Sequence, residues 1–369
     1  MSPSALTLAL CTVLLLGTGC APSARALLAD YAHPDQPGAS ALVLHEGRVV
    51  FTHASGLADL PSRTPATPDT QYRLASLSKQ FTALAVLLLI EEGKLGDEDR
   101  VEDVLPGLPP GLHEVRLRHL LQHTSGVWDY EAFVPATQAE QVKDRDVPAL
   151  LARAPGTYFP PGTAVRYSNS GYALLALVVE HVSGMPFARF LHTRVFAPLG
   201  MHDTVAHEEG QDTVARRAHG YATDAAGGFI PRDQSPTSAV LGDGGIYSSI
   251  TELALWHRAL EAHTLVSADT QRLAWSATPL PDGSVSPYGF GWFVDEDEGR
   301  PRLTHHGETC GFTNAVVKYP AERLTVIVLT NRAGGEPWRV AQRLADRWLA
   351  PKAPAEQRPW PFESLPNAR

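Results

Sequence analysis

The sequence is poor in cysteine and lysine, and its basic residues are not clustered. The three cysteines, Cys11, Cys20 and Cys310, are too few and too scattered for a disulfide framework or a thiolate metal site. Only five of the 31 basic residues are lysines, and the chain has none of the basic clusters that neutralise phosphates. With a formal net charge of −9, the chain is not expected to bind nucleic acid.

The first 20 residues resemble an export signal. An apolar stretch from Ala5 to Leu16 is too short to cross a bilayer but suits the centre of a secretory signal. Gly17-Thr18-Gly19-Cys20 resembles a lipoprotein cleavage site, at which the cysteine is acylated. We therefore expect residues 1–19 to be a signal peptide and Cys20 to be lipidated. The protein is then exported and anchored in the periplasm or cell envelope.

Strand patterns lie near both ends of the chain, and helical patterns dominate its centre. Residues 41–55 predict two strands around a turn at Glu46-Gly47, and further strands are predicted at 288–294, 302–305, 313–319 and 324–330. Helical periodicity covers residues 76–92, 117–123, 147–154, 170–182, 186–196, 250–263 and 338–349. Because a single hairpin cannot bury a face alone, the strands from both ends are expected to form one sheet.

The predicted fold class is therefore α/β (α+β), with an antiparallel sheet of N- and C-terminal strands flanked by helices. A mainly helical subdomain is inserted between the two groups of strands. We expect one domain at residues 26–350, with an α/β part at about 26–85 and 240–350 and a helical part at about 86–239. Residues 351–369 form a Pro-rich tail.

Ser76-Leu77-Ser78-Lys79 stands at the predicted start of the first long helix. Residues three apart lie on one helical face, so the Ser76 hydroxyl and the Lys79 amine are expected to be neighbours. The pair would supply a nucleophile with a built-in base, provided that the lysine is neutral. A first-turn serine followed by a surface lysine is the alternative, because this pattern also arises by chance.

Two more short motifs follow at the edges of predicted elements. Tyr167-Ser168-Asn169 begins 91 residues after Ser76; a phenol can relay protons, and an amide can hold a lysine and a substrate carbonyl. The alternative is an Asn helix cap beside a packed tyrosine. His305-His306-Gly307 begins 138 residues later, at the predicted end of a strand. Its glycine would let a ligand approach the backbone, and His305 could donate to an anion, although most histidines are surface residues.

In their order, these three motifs resemble those of the serine β-lactamase-like family. That family includes class C β-lactamases, D-Ala-D-Ala carboxypeptidases, D-aminopeptidases and related esterases. The likeness covers about residues 28–349 and extends to the segments RLASLSK (73–79), LLQHTSG (120–126), GDGG (242–245) and YGFGW (288–292). The resemblance implies the family fold and a serine hydrolase acting on an ester, a peptide or a β-lactam, with no cofactor and no metal.

The resemblance also implies roles for single residues. Ser76 would form an acyl-enzyme, and Lys79 and Tyr167 would share the proton transfers. Asn169 would orient Lys79 and the substrate amide. His305 and Gly307 would contribute to substrate binding, and the backbone N–H groups of Ser76 and Glu308 would hold the oxyanion.

The third motif departs from the class C pattern, which usually has Lys-Thr-Gly where this chain has His305-His306-Gly307. A histidine has a weaker, pH-dependent charge, the threonine hydroxyl is missing, and Glu308 adds negative charge. Ester or peptide hydrolysis is therefore favoured over β-lactam hydrolysis. A class C-like β-lactamase and a non-catalytic member that binds peptidoglycan or penicillin remain alternatives. A metallohydrolase is disfavoured, because the chain has no His-Glu-x-x-His motif.

Overall fold

A six-stranded antiparallel sheet organises the computed structural model, which describes residues 23–208, 210 and 213–350. The predicted signal peptide, Cys20 and the Pro-rich tail lie outside the described residues. The strands are β1 (Ala39–His45), β2 (Arg48–Ser55), β3 (Phe293–Asp297), β4 (Arg300–Thr309), β5 (Phe312–Tyr319) and β6 (Leu324–Thr330). Their spatial order in the sheet is β3-β4-β5-β6-β1-β2. The N-terminal β1 pairs along its whole length with the C-terminal β6, which confirms the predicted sheet.

Four longer helices accompany the sheet: α1 (Lys79–Glu91), α2 (Asn169–Ser183), α3 (Ile250–Glu261) and α4 (Pro337–Ala345). Helices α3 and α4 cover opposite faces of the sheet. Lys318 of β5 contacts Glu261 of α3 at 3.1 Å, whereas its neighbour Tyr319 accepts a hydrogen bond from Gln342 of α4 at 2.7 Å. Successive strand residues point to opposite faces, so β5 is buried on both sides, as is β6.

The remaining elements are short. The other helical segments are Arg25–Tyr31, Ala75–Ser78, Val101–Val104, Pro110–Leu112, Leu117–Leu121, Tyr130–Phe133, Asp144–Asp146, Val147–Leu151, Phe187–Leu191, His192–Phe196, Ala197–Leu199, Leu241–Gly244 and Ala268–Ala274. The other strands are Leu57–Asp59, Thr64–Pro65, Tyr72–Arg73, Val205–Ala206, Tyr221–Thr223, Phe229–Pro231, Ile246–Ser248, Thr278–Pro279 and Val285–Ser286. The predicted boundary near residue 85 falls inside α1.

Local signals set the ends of the helices. Gly184 follows α2 with a left-handed backbone (φ 69), which glycine adopts at little cost. Ser249 caps α3 by accepting the Glu252 N–H at 3.2 Å. Within the described residues, no single helix is long and apolar enough to cross a membrane. Asn169–Ser183 and Phe187–Leu199 meet that standard only together, with a bend of 74° between them.

Two predicted strands differ from those observed. The strand predicted at residues 288–294 begins only at Phe293, because residues 288–292 form a turn closed by the Gly289 N–H on the Trp292 carbonyl at 2.8 Å. In that turn Gly291 (φ 77) lies so close to α1 that a Cβ would stand 2.9 Å from the Lys79 carbonyl oxygen. The strand predicted at 302–305 continues to Thr309, so His305-His306-Gly307 lies within β4 and not at its end.

Asn331 hydrogen-bonds to Gly38, which directly precedes β1. It is fully buried directly after β6, and its Oδ1 accepts the Gly38 N–H at 2.8 Å. Its Nδ2 donates to the carbonyls of Leu57, Ala58 and His219 at 2.9–3.1 Å. One side chain therefore satisfies backbone groups from three separate segments.

We expect Asn331→Ala to lower the free energy of unfolding by about 3 kcal/mol, because buried backbone groups lose their partner. Denaturant unfolding of both proteins measures this change. Thr264→Ala is the control, since Thr264 is exposed, and should stay within about 0.5 kcal/mol of the parent. An Asn331→Ala protein as stable as the parent would contradict this role of Asn331.

Candidate active site

Ser76 lies in a turn of 3-10 helix (Ala75–Ser78) that leads directly into α1. Ala75 before it has a left-handed backbone (φ 52), a conformation that a non-glycine residue keeps only when its surroundings enforce it. Ser76 is partly exposed, whereas the other residues from Gln71 to Gln80 are buried. The turn therefore presents one hydroxyl to solvent from an otherwise buried segment.

The Lys79 amine lies beside that hydroxyl, as the spacing predicts. Lys79 is fully buried, and its Nζ is 3.0 Å from the Ser76 Oγ. It donates to the Asn169 Oδ1 at 2.8 Å and to the Asp243 carbonyl at 2.9 Å. A neutral amine can donate to the last two acceptors and keep its lone pair for the serine O–H. This geometry suits a base that activates Ser76.

Asn169 is the first residue of α2, and the side chains of Asp129 and Glu131 contact it. The Asp129 carboxylate accepts the Asn169 N–H at 2.9 Å and so caps the positive end of α2. The Asn169 Nδ2 is 3.4 Å from the Glu131 carboxylate. Burial raises the pKa of Glu131, and the charge of Asp129 raises it further. The sequence analysis missed both acidic residues because they follow no catalytic motif.

Asp243 lies in the helical turn Leu241–Gly244 and contributes its carbonyl to Lys79. The Asp144 carboxylate accepts two backbone N–H groups of this turn at 2.8 and 3.0 Å, and burial raises the pKa of Asp144 to about 7. The Asp243 carboxylate itself accepts the Tyr130 O–H at 2.9 Å, and burial raises its pKa. The GDGG segment (242–245) was the available signal for this turn.

Tyr167 lies beside Lys79. The Lys79 Nζ lies 4.9 Å from the centre of the Tyr167 ring, and 5.6 Å from that of Tyr172. The His123 ring stacks on Tyr167 with ring centres 4.1 Å apart. Ser76, Lys79, Tyr167 and Asn169 thus meet in one place, although they come from two distant parts of the chain.

Gly307 brings strand β4 against the segment that carries Ser76. A Cβ at Gly307 would stand 2.1 Å from the Leu74 carbonyl oxygen and 3.2 Å from the Leu77 nitrogen, so no side chain fits there. Strand β3 pairs with β4 only as far as Thr304, which leaves residues 305–309 unpaired on that side. Glu308 therefore lines the same cleft as Ser76.

His305 differs from the sequence interpretation, which gave its imidazole a part in substrate binding. The ring is fully buried beneath the cleft, where its Nε2 is 2.8 Å from the Tyr288 hydroxyl and its Nδ1 is 2.6 Å from the His306 carbonyl. Both nitrogens are therefore engaged internally. Burial lowers the pKa of His305 well below its usual value, so it stays neutral near pH 7. Because the strand continues past His305, the alternation of side chains turns this ring inward.

The cleft has a volume of about 50 Å³ and carries more acidic than basic side chains. Its lining includes Arg73, Ser76, Tyr130, Glu131, Asn169, Thr237, Asp243, Glu308 and Thr309. The Arg73 guanidinium donates to the Ser238 carbonyl at 2.5 Å and lies 3.4 Å from the Gln234 Oε1. Within residues 23–208, 210 and 213–350, no three His, Cys, Asp or Glu side chains are grouped to hold a metal ion.

Known proteins share this sequence and this arrangement. A sequence model of the Beta-lactamase family matches residues 24–347. "Penicillin-binding protein 4*" of Bacillus subtilis (strain 168) is 32% identical over 337 residues, which cover 83% of this chain and 74% of that protein. A "D-aminopeptidase" of Brucella anthropi is 31% identical over 316 residues, which cover 81% of this chain but only 57% of that protein.

A solved structure shares the fold over nearly the full length of both chains. The penicillin-binding protein from Bacillus halodurans superposes with a TM-score of 0.74 at 27% identity, covering 88% of this chain and 98% of its own. The predicted fold class and the family resemblance are thereby confirmed.

We expect Ser76→Ala and Lys79→Met each to lower the hydrolysis of a p-nitrophenyl ester by at least about 10³-fold, because each removes one half of the nucleophile–base pair. A fluorophosphonate probe should add its mass to Ser76 in the parent and to neither variant at a comparable rate. Lys94→Met is the matched control, since Lys94 is exposed on the surface. Unchanged rates in either cleft variant would refute the assignment.

Proposed function

This chain belongs to the beta-lactamase family and is a serine hydrolase, and on that basis we propose that it cleaves amide or ester bonds next to a free ammonium group. The substrates would be amides, esters or short peptides of an amino acid whose ammonium group is adjacent to the scissile carbonyl. The name of the D-aminopeptidase relative supports the D configuration.

The proposed reaction uses Ser76 as the nucleophile. As its Oγ attacks the carbonyl carbon, its proton passes to the Lys79 Nζ, which lies 3.0 Å away. The N–H groups of Ser76 and Glu308 hold the resulting oxyanion. Collapse of this intermediate breaks the bond to the amine or alcohol, which leaves with a proton supplied through Tyr167. Water then attacks the acyl-enzyme and releases the acid.

The acidic lining of the cleft carries this substrate assignment. Glu131, Asp243 and Glu308 line the cleft with Ser76, and the Asp243 carboxyl group accepts the Tyr130 O–H at 2.9 Å. Because Glu131 lies next to Asn169, it stands beside the amide group that would orient the substrate. A substrate ammonium at this point would pair with Glu131 and favour its ionised form against burial.

The same lining disfavours β-lactams and other substrates with a carboxylate. The third motif supplies no cation to the cleft, because the His305 ring is buried and neutral. The Arg73 guanidinium already donates to the Ser238 carbonyl and lies near the Gln234 Oε1, so fewer of its N–H groups are available to a substrate carboxylate. An anionic substrate would therefore meet the acidic side chains of Glu131 and Glu308 and no cation from the third motif, which supports amide or ester hydrolysis over the β-lactamase alternative.

We expect hydrolysis of D-alanine p-nitroanilide to exceed that of its N-acetylated form, its L isomer and nitrocefin. Glu131→Gln should raise KM for the free-amine substrate by about 10- to 100-fold, because a charge-assisted hydrogen bond is lost. It should leave the N-acetylated substrate nearly unchanged. Glu46→Gln in the exposed β1–β2 turn is the control. Preferred turnover of nitrocefin, or equal KM values in Glu131→Gln and the parent, would overturn the substrate assignment.

We also propose that the protein is exported and anchored by a lipid on Cys20, on the support of the N-terminal pattern. In a bacterial host grown with labelled palmitate, the parent and Cys11→Ser should carry the label and partition into detergent. Cys20→Ser should do neither. Equal labelling of Cys20→Ser and Cys11→Ser would refute lipidation at Cys20.

A further inference from the structure

His123 contacts Tyr167 and both of its neighbours in the chain. Its carbonyl accepts the Arg166 N–H at 2.9 Å, and its Nδ1 accepts the Ser168 N–H at 3.3 Å. Between these two bonds the imidazole stacks on the Tyr167 ring, with centres 4.1 Å apart and planes inclined by 38°. One residue therefore fixes the backbone on each side of Tyr167 and one face of its ring.

The residues after His123 accept further backbone hydrogen bonds from the segment that precedes Tyr167. His123 has a left-handed backbone (φ 58), a region in which histidine and asparagine are enriched among non-glycine residues. The Thr124 carbonyl accepts the Gly162 N–H at 2.8 Å, and the Gly126 carbonyl accepts the Tyr158 N–H at 2.7 Å. The segment from His123 to Gly126 is thus bonded at three points to the loop that ends in Tyr167.

The chemistry of the ring separates this role from packing alone. His123 is buried, and because its Nδ1 accepts a hydrogen bond, its proton is on Nε2. Among the residues that the structure describes, that Nε2 has no hydrogen-bond partner, which costs stability in a buried site. An apolar ring such as phenylalanine would fill the space without this cost. Only the imidazole combines a ring that packs against Tyr167 with an acceptor for the Ser168 N–H.

We propose that His123 is a positioning residue that holds the Tyr167 ring beside Lys79 for proton transfer. The His123 ring also packs against Tyr288, with ring centres 4.4 Å apart. Tyr167 is only half-buried, so one of its faces depends on this support. The inference rests on the proposed role of Tyr167 in the reaction.

Two substitutions separate the contributions of His123. His123→Phe keeps a ring against Tyr167 but loses the acceptor and the preference for a left-handed backbone. His123→Asn keeps an acceptor oxygen and tolerates that backbone, but loses the ring. We expect His123→Phe to lower kcat on the order of 10²-fold, since small displacements of a catalytic group have this effect. His123→Asn should retain about tenfold more of the activity, and KM should change by less than about threefold in both.

The decisive measurement combines His123→Phe with Tyr167→Phe. If His123 acts through the Tyr167 hydroxyl, the double variant should be no more than about threefold slower than Tyr167→Phe alone. His257→Asn is the matched control, because His257 is also buried and its Nδ1 has no hydrogen-bond partner in the described part of the chain. The kcat of this control should equal that of the parent. Thermal unfolding of each variant shows that the comparison is made on folded protein.

Three outcomes would overturn the proposal. Both His123 variants could retain the parent kcat, the two losses could multiply in the double variant, or Tyr167→Phe could itself be fully active. Failure of the proposed function looks different, because the parent would then hydrolyse no ester or amide and Ser76 would not react with the fluorophosphonate probe.

Discussion

The arrangement of this molecule depends on satisfying one buried amine. Lys79 has no exposed surface, so its Nζ needs partners from the protein, and it finds them on Ser76, Asn169 and Asp243. These partners come from the turn before α1, the start of α2 and the turn Leu241–Gly244. Two of them are held by further polar contacts, because Asp129 accepts the Asn169 N–H and Asp144 accepts two N–H groups of the turn that carries Asp243. The mutual position of these elements is therefore a condition for burying the lysine.

The sheet supplies the other wall of the cleft mainly through its backbone. Gly307 brings β4 into contact with the Leu74 carbonyl, and on the side of β3 the end of β4 remains unpaired beyond Thr304. Since His305 points into the protein, the third motif presents backbone groups and Glu308 to a substrate. Under the proposed function, selectivity for charge rests on side chains that line the cleft, above all Glu131.

Local spacing explains which parts the sequence could predict. Ser76 and Lys79 lie one helical turn apart, and Tyr167 and Asn169 flank the start of a helix, so short motifs identify them. The hairpin at Glu46-Gly47 and the pairing of terminal strands were equally accessible. The orientation of His305 was not, because its strand continues to Thr309 and only the pairing with β5 shows this. The GDGG and LLQHTSG segments mark the turns that carry Asp243 and His123 but do not show their contacts. Asp243 acts through a carbonyl, and His123 contacts residues 43 to 45 positions away.

The pairing of β1 with β6 has a consequence for how the protein becomes active during synthesis. Strand β1 has its partner on that side only after residues 324–330 have emerged, almost 300 residues later. The Gly307 contact with Leu74 is similarly remote in sequence. The entropy cost of closing such long loops comes before the stabilising contacts between their ends, so the cleft is assembled late in folding. A partly synthesised chain therefore contains the serine and the lysine but not the wall that completes the cleft, and hydrolytic capacity arises only after residues 324–330 have been added.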